Sequence, residues 1–137
     1  MTDWVYFQLR ETLTQLSWTA DRQIAWLNGR LPVDELALDY DGIYPAIWSL
    51  REAGWISPEL DAVLAEINRL LTVLTDEGDD AWTEEALKAN PRWAETRRLA
   101  SHARALMVNA ESSRAAPHAS PGPPPPADPP PSRTDPP

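Results

Sequence analysis

The 137 residues include no cysteine, so disulfides, thiolate metal sites and cysteine nucleophiles are excluded. Histidine is scarce. His102 and His118 are the only two, no H-x-x-x-H or H-E-x-x-H pair exists, and any zinc site would be built almost wholly from carboxylates. No apolar run approaches the ~18 residues needed to cross a bilayer, so no membrane segment is expected. The opening Met-Thr-Asp-Trp has no basic region followed by an apolar one, and the chain reads as cytoplasmic. Gly-rich phosphate loops, a G-x-S-x-G elbow and a dinucleotide fingerprint are missing too.

Proline and acid are abundant instead, and both are unevenly placed. Eleven of the 15 prolines lie at or beyond Pro117. From about Ser112 the chain turns to Ala, Ser and Pro, with Pro123 to Pro126 and Pro129 to Pro131 as unbroken runs. Such a segment lacks the apolar side chains that repay ordering, so 112–137 is expected to be a disordered proline-rich tail and 1–111 a single helical domain. The net charge of −9 comes from the middle. Residues 34 to 85 hold 14 acids against Arg51 and Arg69, whereas Lys88, Arg92, Arg97, Arg98 and Arg104 outnumber the acids of 86–112. An acidic stretch repels phosphate and attracts basic partners.

Apolar residues recur with helical period. Val5, Leu9, Leu13, Leu16, Ala20, Ile24 and Leu27 predict one long helix from about Asp3 to Asn28, ~39 Å long at 1.5 Å per residue, with Gly29 as its stop. Leu31 to Asp41 reads as a connection. A second helix is predicted from about Gly42 to Ala53, with Asp41 as cap, Pro45 in the first turn and Trp55 packed on Leu50 beyond Gly54. Ser57-Pro58-Glu59 is a strong start signal for a third, running through Leu60, Val63, Leu64, Ile67, Leu71 and Leu74. Thr83 caps a short helix to Ala89, with Trp82 and Leu87 spaced as a hydrophobic staple. Asn90-Pro91 opens the last, ending near Asn109. No period-two alternation suggests a strand. The predicted fold is all-α: a compact bundle of three long helices and one or two short ones.

Few residues carry chemistry. Asp39-Tyr40-Asp41-Gly42 and Asp76-Glu77-Gly78-Asp79-Asp80 have a calcium-loop outline but place Ala37 or Val73 where the first ligand belongs, and read as solvated turns with no metal or cofactor expected. Leu50 to Leu64 has a helix-turn-helix outline whose second helix begins with acids, against nucleic-acid binding. The strip of Arg97, Ser101 and Arg104 is the counter-indication. His102 flanks an apolar face and reads as a half-buried structural histidine.

Tryptophan stands out, with seven in the chain. On the predicted first helix, Trp4, Phe7, Trp18 and Trp26 fall at ~−140°, ~160°, ~180° and ~−100° from Leu9, off the main stripe and beside Glu11, Gln15 and Arg22. Either this helix is buried on both sides, or these aromatics with Arg22 anchor another chain. The sequence thus points to a non-catalytic protein-interaction module. Its most concrete form is an acidic immunity- or antitoxin-like protein that masks a basic partner such as a nuclease toxin, with Asp76, Glu77, Asp79 and Asp80 in the acidic surface. A homo-oligomeric subunit using the first helix, and an enzyme with a carboxylate-bound metal, are the alternatives.

Overall fold

Three long helices, α1 (Thr2–Ser17), α5 (Pro58–Glu77) and α7 (Pro91–Ala119), carry the chain in a computed structural model that describes residues Thr2–Ala119, with side chains described from Asp3 to Glu111. Between them lie α2 (Ala20–Leu27), α3 (Glu35–Ile43), α4 (Trp48–Glu52) and α6 (Glu84–Ala89), with 3-10 turns at Tyr44–Ala46 and Asp79–Trp82. The described residues include no strand, and the class is all-α. No helix among them is long and apolar enough to cross a membrane.

Contacts divide the chain into Met1–Met107 and Val108–Pro137. In the second unit α7 continues to Ala119, past the predicted boundary at Ser112, through the good helix formers Ala110, Glu111, Arg114, Ala115 and Ala116. The rest of the predicted tail, Ser120–Pro137, lies outside the described residues.

Local signals set most helix ends in the first unit. Ser57 Oγ accepts from the Leu60 amide at 3.1 Å, Thr83 Oγ1 from Ala86 at 3.0 Å and Asn90 Oδ1 from Arg92 at 2.9 Å. Each side chain satisfies one amide that the first helical turn leaves unpaired. After α4, Gly54 takes φ +77°. The Trp55 amide then reaches Leu50 O and the Gly54 amide reaches Arg51 O, both bonds of a Schellman ending.

Two predicted elements are rearranged. The single first helix is broken at Trp18. Ser17 Oγ donates to Thr14 O at 2.8 Å, and Thr19, extended at φ −61° and ψ 158°, accepts the Arg22 amide and starts a new helix. Two hydroxyl residues compete here with the helical backbone and divide it, although the apolar stripe continues across the break. The predicted connection at 31–41 is largely helical as well. Leu36, Ala37, Tyr40 and Ile43 are buried along α3 while Asp39 and Asp41 stay exposed, so the acidic motif at Asp39–Gly42 lies on a helix and not in a turn. Pro45 belongs to the 3-10 turn that separates α3 from α4.

The core of this unit draws on every helix from α1 to α7. Helix α1 packs along α3 and against α4, and α2 packs against α6. Trp93 is fully buried, donates Nε1–H to Ala81 O at 2.8 Å and meets Trp82 edge-on at 5.4 Å between ring centroids. The Tyr40 hydroxyl donates to Leu64 O at 2.6 Å, joining α3 to α5. The Tyr6 hydroxyl donates to Met107 O at 3.2 Å, joining α1 to α7.

Candidate functional site

Acidic residues converge where α3 faces the end of α5. Asp34, Leu38 and Asp41 are spaced four and three residues apart and share one side of α3. They line a hollow of about 440 Å³ together with Asp79, Val33 and Trp82. Asp79 reaches it because Gly78 adopts φ +99°, a left-handed geometry that suits glycine, and redirects the chain after α5. Val33 is buried, Trp82 partly so, and Leu38 is exposed. The hollow therefore has an apolar lining and three carboxylates around it. No salt bridge engages Asp34, Asp41 or Asp79 among the described residues, and no trio of His, Cys, Asp or Glu among those residues is arranged to hold a metal ion. Such an arrangement can accept an extended cation, with carboxylates for its head and apolar walls for its stem.

The four acids singled out in the sequence do not act together in the structure. Glu77 is committed to α7, with Oε2 2.8 Å from Arg92 Nη1 and Oε1 accepting from Asn90 Nδ2 at 2.9 Å. Asp79 lines the hollow with Asp34 and Asp41, two residues that counting acids along the chain did not single out. Asp80 lies on a separate shallow depression beside Thr83 and Glu85, and Asp76 is exposed.

The aromatic face of the first helix is likewise divided. Trp4 and Phe7 are 58% and 48% exposed and stand one turn apart near the start of α1. Trp18 and Trp26 are half-buried at the α1–α2 break, edge to face at 6.2 Å, with the Arg22 guanidinium carbon 4.5 Å from the centre of a Trp18 ring. One helical wheel cannot be extended through the extended Thr19, so these are two aromatic groups and not one continuous face. Trp48, at the start of α4, is exposed while its neighbour Ile47 is buried.

His102 is exposed and not half-buried, with Nε2 3.5 Å from Glu59 Oε2. The expected basic strip is not uniform either. Arg97 turns inward to Gln23 Oε1 at 3.1 Å, and Arg104 is partly buried with its Nε unpaired. Compared with protein-family models, curated proteins and solved structures, the chain matches none.

Proposed function

We propose that the chain is a non-catalytic protein-interaction module whose acidic hollow receives a basic side chain of a protein partner, as an immunity or antitoxin protein masks a basic toxin. The observation that carries this reading is the meeting of Asp34 and Asp41 with Asp79 around the apolar lining of Val33, Leu38 and Trp82. A pair between solvent-exposed charges is worth only ~0.2–1 kcal/mol. The carboxylates therefore act mainly by steering encounter, while the apolar lining retains the partner once docked.

Stopped-flow association with a fluorescent arginine-rich peptide at low salt tests the proposal. Neutralising the hollow as Asp34→Asn, Asp41→Asn and Asp79→Asn slows capture about tenfold, and the difference shrinks as salt shortens the Debye length to ~8 Å. A charge-matched control, Glu52→Gln, Glu84→Gln and Glu85→Gln, separates a local site from net charge. Equal slowing by both triples refutes the hollow as the docking point.

Self-association is a second reading, favoured by the exposure of Trp4 and Phe7 one turn apart on α1. Sedimentation velocity distinguishes it: a concentration-dependent dimer that Trp4→Ala and Phe7→Ala dissolve supports it, and a monomer at all concentrations removes it.

A further inference from the structure

A second hollow, of about 640 Å³, opens between the α1–α2 break and α7. Trp18 and Thr19 line one side, and Arg97, Arg98, Ser101 and His102 the other. Arg97 is the unusual group among them. Arg51 lies beside Asp61 at 2.7 Å and Arg92 beside Glu77 at 2.8 Å, and Arg69 and Arg98 pair with Glu66 and Glu95. Arg97 has no carboxylate partner among the described residues, and its one hydrogen bond there goes from Nη1 to Gln23 Oε1. It is half-buried, and burial draws its guanidinium below the ordinary value, the mark of a charge that has lost water without gaining a counter-charge.

The hold on Arg97 is specific. Gln23 is fully buried, and its amide nitrogen donates to Gln15 O and Leu16 O at 3.2 and 3.1 Å. A flipped amide would turn its oxygen toward two carbonyls, so Gln23 Oε1 is committed to the guanidinium. One of the five N–H donors of Arg97 is spent there and four remain. Ser101 lies one helical turn further along α7, and Thr19 Oγ1 accepts from the Arg22 amide, leaving its own proton free to donate. Ser17, by contrast, has already spent its proton on Thr14 O.

We infer that this hollow binds a small phosphate monoester, with Arg97 as the principal ligand, Ser101 and Thr19 as hydroxyl donors, and Trp18 as the wall against which the esterified group lies. Phosphate fits better than carboxylate because donors approach from both α7 and the α1–α2 break. One guanidinium can satisfy a planar carboxylate, whereas tetrahedral oxygens reach all three donors. Glu95 neutralises Arg98 and Glu59 stands beside His102, so of the two guanidinium groups lining the hollow Arg97 alone is uncompensated, which disfavours long polyanions and limits the site to one phosphate on a small carrier.

Calorimetric titration of the full chain at low salt with adenosine monophosphate, inorganic phosphate and adenosine tests the assignment. The monophosphate saturates with a Kd below about 1 mM, inorganic phosphate competes more weakly, and adenosine alone does not bind. Arg97→Gln weakens monophosphate binding about tenfold or more. Ser101→Asp, at an exposed helical position, abolishes it without moving the urea midpoint, and decides the matter if the loss of the Gln23 contact impairs folding of the first variant. Adenosine binding as tightly as its monophosphate, no saturation by about 10 mM, or an unchanged Kd in Ser101→Asp overturns the inference.

Discussion

Replacing Gln23 by leucine tests the join between α1, α2 and α7. The change keeps the bulk and removes three hydrogen bonds: two donated to Gln15 O and Leu16 O, and one accepted from Arg97. Both carbonyls belong to the last turn of α1: Gln15 O also accepts from the Trp18 amide at 3.3 Å, whereas Leu16 O is reached by no following helical amide. Leaving the buried Leu16 O unsatisfied costs ~1–3 kcal/mol, and losing the second bond at Gln15 O adds ~1 kcal/mol. The half-buried Arg97 recovers part of its loss from water and adds ~1 kcal/mol. Against this, an apolar side chain at a fully buried position regains ~1–2 kcal/mol. The expected net destabilisation is ~2–3 kcal/mol, a drop of ~1–3 M in the urea midpoint at the slopes usual for small domains. Equilibrium unfolding followed by circular dichroism and tryptophan fluorescence measures it. A double-mutant cycle with Arg97→Leu should give a coupling of ~1–2 kcal/mol, the part that belongs to the Gln23–Arg97 bond itself. A Gln23→Leu protein within ~0.5 kcal/mol of the parent refutes the reasoning, because Leu16 O would then have no need of the amide.

Two further predictions concern aromatic side chains. Trp18→Ala should cost ~1–2 kcal/mol, the worth of a half-buried edge-to-face pair and a cation–π contact, while Trp93→Ala should cost ~3–5 kcal/mol by emptying a core site; equal losses in urea melts would mean that one burial is misread. Burial holds the Tyr40 phenol far above its ordinary value, so at alkaline pH the unfolded chain releases a proton that the folded chain keeps. The contribution is whole below about pH 10 and is lost at ~1.4 kcal/mol per unit as pH rises further. Tyr40→Phe should cost ~1 kcal/mol at neutral pH and remove that share of the alkaline slope, and an unchanged slope in a pH series of melts would defeat the assignment.

Short-range steric and capping chemistry made much of this structure readable in advance. Ser57-Pro58, Thr83 and Asn90-Pro91 start helices where they stand because their side chains reach amides two or three residues on. Gly54 and Trp55 end α4 for a similarly local reason. Periodicity placed the buried face of α5, but it was blind to the break at Trp18. In the sequence the apolar spacing runs on past Thr19 without interruption, and Gln23, seven residues after Leu16, falls within it as a polar member. The signal that could have found the break was Thr19 with Asp21 in the next turn, a start motif inside an otherwise continuous pattern. In α3 the acids at 34, 35, 39 and 41 diluted the apolar rhythm that Leu36, Ala37, Tyr40 and Ile43 keep.

The sequence by itself determined the helical class, the acidic middle and most helix ends, because propensity, charge and capping depend on residues a few positions apart. Tertiary packing decided which tryptophan is core. Trp93 finds Ala81 O and the Trp82 ring, while Trp48 finds no such cover and is exposed. It also decided where charge gathers. Asp79 joins Asp34 and Asp41 only because α5 carries the chain back past α3, and Arg97 meets Gln23 across 74 residues. Residues that far apart share no local constraint. Their meeting depends on how helices burying separate stripes settle against one another, an outcome of packing the whole domain that no single segment contains.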